Sequence, residues 1–299
     1  MYTVRMLWLV LSLLAPLLWA ITNLIDDDLI LHRLKQPFVI VGITGLFAGI
    51  PAAYFLATGA FHVPSWPIIV FGLMTGVVNL AVYYPYFRAL QTTNPESAIL
   101  FWNLAPVLVA VFAFIFLGER LSIVKYVAIG LIILSTIIIE SSHVEFKPHG
   151  NAKALRWMIL ASCCTAIQYL MEKKLYEMSG AQVGITLICI GSFVCGMLVF
   201  LSRKNRKIIS KAFSKNGWLL TLNQSLDVGA AICSNFAISL GAVSLVSALQ
   251  GAQSLFVVGL AWLAGHLFTK KQFRIAKAAP FGRVVLAVAL TMIGLVVIG

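Results

Sequence analysis

One ionisable side chain lies deep in an apolar stretch of this sequence. Asp227 is near the middle of the largely apolar run 218–240, where a carboxylate costs roughly 2.5 to 3.5 kcal/mol on insertion scales. Asn223 and Gln224 precede it by four and three residues, so on a helix the three side chains share or adjoin one face. Such a face can bind a polar or cationic solute, with Asp227 exchanging a proton. The structural alternative is a hydrogen bond that ties Asp227 to a neighbouring helix.

Two further apolar segments carry amides at positions suited to a ligand. Gln250 and Gln253 are three residues apart and fall on one face of a continuous helix. Trp102 and Asn103 precede Pro106, which has no N–H and therefore frees the carbonyl of Trp102. A free carbonyl beside an amide suits a polar ligand, and a kink that only aids packing is the alternative.

Aromatic and amide side chains from three other segments are expected to complete the wall of a cavity. They are Trp19, Asn23, Gln168, Tyr169 and Tyr83. Trp19 and Asn23 share an i, i+4 face, and Gln168 and Tyr169 lie at the corresponding place in the second half of the chain. Tyr83 begins an aromatic cluster at 83–88, which suits either an interfacial belt or a wall that holds a quaternary ammonium group.

The composition identifies a membrane protein that spans the bilayer many times. Hydrophobic residues make up 61% and charged residues 11% of the 299 residues, and the mean hydropathy is +0.96. The net charge of +12 comes from basic residues in short connections, which indicates contact with lipid headgroups rather than nucleic acid. The cysteines and histidines show no metal-binding spacing, and we expect no metal and no cofactor. The first apolar run, 6–25, is expected to remain as a helix rather than to be cleaved.

Ten segments are long enough, or nearly so, to cross a bilayer, and they predict an all-α fold. They are 5–25, 37–58, 66–87, 97–117, 122–140, 155–175, 181–202, 217–240, 245–268 and 283–298. The polar connection 140–154 divides the chain into two halves, 1–145 and 146–299, with five segments each. The odd number of segments inverts the second half in the membrane, which predicts two inverted repeats around a central cavity.

The two halves resemble each other weakly but in register. A shift of 146 residues aligns 15–29 with 161–175 and matches Ala20 with Ala166. A shift of 150 residues pairs Ser97 with Ser247 and Asn103 with Gln253. Chance similarity between apolar sequences is the alternative explanation.

Several short motifs resemble a known transporter repeat. Ala89-Leu90, Glu96-Ser97-Ala98, Leu104-Ala105-Pro106 and Leu117-Gly118-Glu119-Arg120-Leu121 are similar to the EamA-type repeat of the drug/metabolite transporter superfamily. Trp19-Ala20 with Asn23 resembles its opening. The second half departs from the pattern, since Thr269-Lys270-Lys271 stands in place of Gly-Glu-Arg and Phe256 in place of Pro106. The resemblance implies two five-helix repeats that move small organic solutes by alternating access, and it argues against an enzyme.

These observations favour a secondary transporter that moves an amino-acid-like or cationic solute across a bacterial cytoplasmic membrane. A proton or ion is expected to be coupled to this movement. No Lys or Arg lies mid-span, so an amine suits the cavity better than a phosphate. The alternative is a lipid-handling protein or membrane enzyme, for which Asp26-Asp27-Asp28 with His32 and Arg33 is the candidate site. An ion channel is a further alternative, for which no filter motif is evident.

Three expectations concern charged residues and orientation. Glu172, Lys173 and Lys174 are expected at a solvated helix end, and Glu119 is expected to serve the architecture. About 17 of the 22 Lys and Arg residues follow odd-numbered segments. The positive-inside rule then puts both termini outside, whereas the family resemblance implies cytoplasmic termini, and the sequence leaves this open.

Overall fold

The structure, a computed structural model, describes residues 2–28, 36–59, 61–91, 101–141, 148–267 and 281–298. These residues form helices joined by short connections, and no strand occurs among them. The all-α fold class predicted from the sequence is therefore confirmed. The beginning of the fourth predicted segment, at 97–100, lies outside the described residues, as do 29–35, 142–147 and 268–280.

The helices follow the predicted segments closely. They are α1 (Tyr2–Asp28), α2 (Pro37–Ala57), α3 (Trp66–Leu90), α4 (Leu104–Phe112), α5 (Ile123–Glu140), α6 (Pro148–Ser179), α7 (Ala181–Phe200), α8 (Arg203–Leu240), α9 (Val243–Gln250), α10 (Gln253–Leu267) and α11 (Phe281–Ile298). A π-helical turn, Ala113–Leu117, extends α4. It ends at Gly118, whose φ of +65° is one that glycine adopts without steric cost.

Six described segments are long and apolar enough to cross a membrane. They are Met6–Asp26, Pro37–Ala57, Trp66–Leu90, Ala154–Ser179, Ala181–Phe200 and Val243–Leu260, and three shorter apolar helices are Leu104–Leu117, Ile123–Ile138 and Gly282–Ile298. The outer surface is apolar, as lipid requires, since Ile115, Phe116 and Val296 are 61%, 70% and 78% exposed. Buried positions include many polar side chains. This is the pattern of an integral, multi-pass membrane protein.

Two predictions about local structure need correction. The ninth segment is not one helix, because α9 ends at Gln250 and α10 begins at Gln253. The basic stretch 202–217 is not a loop, because its residues 203–215 form the first part of α8, before a kink at Asn216 (φ −141°, ψ 27°). Ile209 of this part is buried against α2. An amphipathic helix of this kind suits the membrane surface.

Helices α2 and α7 pack closely, with glycines facing each other. A Cβ atom on Gly45 would lie 2.7 Å from the Cα of Gly196 and 2.8 Å from the carbonyl oxygen of Ser192. Small residues at such contacts let backbones approach and gain van der Waals packing, which is what holds helices together in lipid. The interface between α2 and α7 therefore depends on the absence of side chains.

Four helix pairs make extensive contacts. Besides α2 on α7, helix α1 packs on α8, α3 on α6 and α5 on α11. The α1–α8 pair is antiparallel, because Trp8 lies against Gly241 while Asp26 bonds Asn223. Helices α1, α3, α6 and α8 thus carry their polar faces toward a common interior.

Candidate functional site

One cavity collects all twelve side chains that the sequence identified. It has a volume of about 160 Å³, and its lining includes Trp19, Asn23, Tyr83, Trp102, Asn103, Gln168, Tyr169, Asn223, Gln224, Asp227, Gln250 and Gln253. A cavity of this size is comparable with the engineered cavity of about 150 Å³ that binds benzene. In this conformation the space suits a small solute.

The carboxylate of Asp227 is held from two neighbouring helices. Trp19 of α1 donates its indole N–H to Oδ1 at 3.0 Å, and the hydroxyl of Tyr83 on α3 donates to Oδ2 at 3.2 Å. The interhelical bonds that the sequence analysis weighed as the structural alternative are therefore present. They leave Asp227 in the lining of the cavity, so the bonds also fix the position of the carboxylate at the cavity surface.

A second carboxylate, Asp26, lies in the same cavity, on the α1–α8 interface. Its Oδ1 accepts a hydrogen bond of 2.7 Å from Nδ2 of Asn223, one helical turn before Asp227. From the sequence, Asp26 was a candidate only for an enzyme site with Asp27, Asp28, His32 and Arg33. The side chains of those four residues lie outside the described part of the chain. The i+7 spacing from Trp19 was the available signal that Asp26 faces the same way.

The third carboxylate corrects a prediction. Glu172 does not lie at a solvated end, because its side chain is only 1% exposed and lines the cavity. Gln168 donates its amide to Oε1 at 2.8 Å. Lys174, two residues on, is exposed, with its Nζ 3.9 Å from Glu177. The i+4 spacing from Gln168 places Glu172 inside, while residues beside it on the helix face outward.

Amides and hydroxyls join the helices around the cavity in short chains. The hydroxyl of Tyr169 donates to Oε1 of Gln250, and Nε2 of Gln250 donates to Ser234 at 2.7 Å. Nε2 of Gln168 also donates to Oδ1 of Asn79 at 2.8 Å. Asn79 was missed in the sequence, although it is an amide within an apolar run just as Asn223 is.

The aromatic cluster of α3 forms one wall. Tyr86 meets Trp102 edge to face, with ring centroids 5.0 Å apart, and its hydroxyl lies 3.4 Å from Oδ1 of Asn23. Tyr83 stacks on Phe87 at 6.1 Å. Of the two roles considered for Tyr83, the structure supports the cavity wall rather than an interfacial belt.

Three amides of the cavity lining lie beside breaks in two helices. A turn at Asn103 separates the helical residues 101–102 from α4, and the break at 251–252 separates Gln250 from Gln253. The sequence analysis placed Gln250 and Gln253 on one face of a continuous helix. Both residues do line the cavity, although they stand on either side of the break.

The lining is acidic and contains unpaired polar atoms. Asp26, Glu172 and Asp227 contribute carboxylates, and no Lys or Arg is among the described lining residues. Five buried atoms of lining residues have no hydrogen-bond partner within the described structure: Nδ2 of Asn23, Nδ2 of Asn103, Oε2 of Glu172, Oδ1 of Asn223 and Oε1 of Gln224. Buried polar atoms normally have partners, so the cavity is built for a polar occupant. No cluster of three or more His, Cys, Asp or Glu suited to a metal occurs among the described residues.

Outside the cavity, Glu119 has the architectural role that was predicted. Its carboxylate accepts the backbone N–H groups of Val243 at 2.9 Å and Ser244 at 3.2 Å. Both groups belong to the first turn of α9, whose N–H groups have no partner inside the helix. An acid from the first half of the chain thus caps a helix of the second half.

Known proteins match the chain in sequence and in structure. The sequence model of the EamA-like transporter family matches residues 6–141, and no curated protein matches significantly. A crystal structure of a protein with 20% sequence identity superposes with a TM-score of 0.70, covering 96% of this chain and 94% of its own. That identity shows a common fold alone. The EamA match confirms the resemblance to the drug/metabolite transporter superfamily, because the motifs that carry this resemblance lie within the matched residues 6–141.

Proposed function

We propose that this protein is a secondary transporter that carries a small amino-acid-like or cationic solute across a bacterial cytoplasmic membrane. The observation that carries the proposal is the convergence of the predicted polar residues on one cavity whose lining includes three carboxylates and, among the described residues, no Lys or Arg. Carboxylates favour a positive group, and the faces of Trp19, Tyr83 and Trp102 suit a cation. A phosphate would meet repulsion at the same positions.

The superfamily supports transport rather than catalysis, because EamA members are transporters. The candidate enzyme site around Asp26 gains no support from the structure, since Asp26 bonds Asn223 within the cavity. We therefore favour the transporter over the lipid-handling protein or membrane enzyme.

We further propose that the chain consists of two inverted repeats, 1–145 and 146–299, that alternate access to the cavity. The packing pairs support this proposal. Helix α2 packs on α7 and α5 on α11, and each pair joins helices that occupy corresponding places in the two halves. The α1–α8 pair has its counterpart in α6–α3. Every one of these pairs is reproduced when the two halves are exchanged, as expected for a two-fold relation.

The breaks in the helices give independent support. The turn at Asn103 and the interruption at 251–252 fall in corresponding segments, since the shift of 150 residues pairs Asn103 with Gln253. Paired interruptions in corresponding spans are the best sequence pointer to a midplane binding site in repeat transporters. The coupling proton or ion is part of the same proposal.

Counterflow in proteoliposomes tests the proposal. Vesicles loaded with an unlabelled solute are diluted into the labelled one, over a panel of amino acids, quaternary amines, nucleosides and sugar phosphates. Wild-type protein is compared with Asp227→Asn and with Ser225→Ala, a change at an exposed position of the same helix.

We expect saturable exchange of an amino acid or amine by the wild type and by Ser225→Ala, and at least a tenfold loss in Asp227→Asn. Removal of a carboxylate that pairs with a buried cation costs more than 1.4 kcal/mol, which is about tenfold. Exchange of sugar phosphates alone would contradict the proposed solute class. Absence of exchange for every class would reopen the lipid-handling alternative.

A further inference from the structure

Glu172 is the most buried carboxylate in the cavity and is only partly bonded. Its side chain is 1% exposed. Oε1 accepts the amide of Gln168 at 2.8 Å, while Oε2 is buried with no partner among the described residues. An ionised carboxylate in this position carries a desolvation cost of several kcal/mol unless a positive group accompanies it.

No neighbouring cation in the described structure balances Glu172. Lys173 directs its Nζ to the carbonyl oxygens of Ile238 at 3.2 Å and Gly241 at 2.9 Å, at the C-terminal end of α8. Lys174 is exposed beside Glu177. The ionisable groups that face Glu172 are Tyr169 and Tyr176 on its own helix and Cys189 on α7.

The other elements packed on α6 add no further ionisable neighbour. Helices α4 and α9 contain no ionisable side chain. From α3 the facing group is the amide of Asn79, and from α8 it is the amide of Asn235, which bonds Tyr176. Glu172 is thus an isolated acid among neutral groups.

The chemistry around Glu172 favours a proton over a metal ion. Alkali-metal and alkaline-earth cations need several oxygen ligands, whereas Gln168 presents its nitrogen to the carboxylate. The hydroxyls of Tyr169 and Tyr176 donate elsewhere, to Gln250 and Asn235. A proton, by contrast, needs only the free Oε2.

The acid that corresponds to Glu172 in the first half of the chain is Asp26. The shift of 146 residues that aligns the two halves pairs Asp26 with Glu172. Asp26 lies beside Asp227 on the α1–α8 interface, through its bond to Asn223. Glu172 is on α6 and reaches Asn79 of α3 through Gln168. Corresponding acids therefore serve the two packing pairs, but among the described lining residues only the α1–α8 pair brings a second acid to the cavity.

We propose that Glu172 is a proton-binding site separate from the Asp26–Asp227 end of the cavity, and that it couples solute movement to a proton gradient. This inference rests on the proposed transport function. Glu172 takes one proton from water when its side of the cavity opens and returns it to water on the other side, so charge and protons balance over a cycle.

A chain of hydrogen bonds links this event to helix packing. Nε2 of Gln168 donates to both Glu172 and Asn79, Asn79 donates to Ser192 at 3.1 Å, and Ser192 donates to the carbonyl of Gly76 at 2.9 Å. A bond to a charged oxygen is roughly twice as strong as one to a neutral oxygen. Protonation weakens the Gln168–Glu172 bond and so alters the connection between α6, α3 and α7.

The test compares two assays on the same proteoliposomes, counterflow and accumulation driven by a pH gradient, for wild type, Glu172→Gln and Glu177→Gln. Glu177 is a matched control, since it is an exposed acid on the same helix. For Glu172→Gln we expect the loss of gradient-driven accumulation to exceed any loss of counterflow at least tenfold. Glu177→Gln should match the wild type in both assays.

Two results would overturn the proposal: accumulation by Glu172→Gln equal to the wild type, or loss of its counterflow together with its accumulation. Absence of wild-type counterflow would instead contradict the transport function. In that case an infrared pH titration of the purified protein still decides, since it needs no solute. The infrared spectra of the wild type, Glu172→Gln and Asp227→Asn are compared. A protonated-carboxyl band that is absent in Glu172→Gln but present in Asp227→Asn supports the proton site, and identical bands in all three proteins would refute it.

Discussion

The indole N–H of Trp19 lies 3.0 Å from Oδ1 of Asp227 and joins α1 to α8 at the level of the cavity. Tyr83 reaches the same carboxylate from α3. The carboxylate is thus fixed by donors on two helices of the first half, while Asp227 itself belongs to the second half. Any movement between the two halves would therefore act on the hydrogen bonds to Asp227.

Loss of the indole donor should weaken solute binding. Trp19→Phe removes the N–H but keeps an aromatic ring, so Asp227 retains only the bonds from Tyr83. A hydrogen bond to a charged group is worth about 1.5 to 3 kcal/mol, and we expect the KM for counterflow to rise about tenfold or more. Trp8→Phe is the control, because Trp8 lies on the same helix against Gly241 and away from the cavity lining. An unchanged KM in Trp19→Phe would mean that Tyr83 alone orients Asp227.

Glu119 should matter for stability rather than for the solute. Glu119→Ala leaves the N–H groups of Val243 and Ser244 without their acceptor, which costs about 1 to 3 kcal/mol. We expect a lower thermal midpoint in detergent and an unchanged KM. Glu119→Gln keeps one oxygen acceptor, so its thermal midpoint should lie between those of the wild type and Glu119→Ala. Glu177→Ala, at an exposed position, should match the wild type. A shift in KM without loss of stability would contradict the capping role.

The sequence predicted the helices and the cavity residues for a physical reason. In an apolar span each polar side chain must face the protein interior, so Asn223, Gln224 and Asp227 could be assigned to a cavity from their types and spacing alone. The same rule assigned Trp19 and Asn103 to the cavity. The boundaries followed from the charged and Pro-rich connections, as at Pro37, which begins α2.

The misses have a different cause. Glu172 was assigned to a solvated end because Lys173 and Lys174 follow it, yet only its burial on the inner face of α6 decides its environment. The break after Gln250 was not predicted, since 245–268 lacks proline and an isolated glycine such as Gly251 is tolerated inside a helix. Packing of α9 against the Glu119 cap fixes where that helix begins, and this contact spans more than a hundred residues of chain.

The close contact between α2 and α7 should tolerate no side chain. Gly45→Ala would put a Cβ atom 2.7 Å from the Cα of Gly196, and overpacking of this kind costs about 1 to 3 kcal/mol. We expect less folded protein and a lower thermal midpoint. Gly130→Ala on α5 is the control, because no atom lies within 4 Å of its added Cβ and alanine favours helix. Equal midpoints for the two variants would show that α2 and α7 can separate without cost.

Asn103 should distinguish an amino-acid-like solute from a simple cation. Its Oδ1 accepts the hydroxyl of Thr136 at 2.9 Å, while its buried Nδ2 has no partner among the described residues. A free donor in the same cavity as the carboxylates suits a solute that carries a carboxylate or carbonyl as well as an amine. Asn103→Ala should then raise the KM for an amino acid about tenfold, since one hydrogen bond is worth about 1 kcal/mol or somewhat more.

The same substitution should leave a quaternary amine without an acceptor group unaffected, because such a solute never bonds the Nδ2 donor. Counterflow of the two solutes through one protein makes the comparison internal, so differences in reconstitution cancel. Ser135→Ala is the control on α5, where the Ser135 hydroxyl lies 2.7 Å from that of Thr291 and does not line the cavity. Equal losses for both solutes would assign Asn103 to packing through Thr136, and a loss for the amino acid alone would assign it to recognition of the acceptor group.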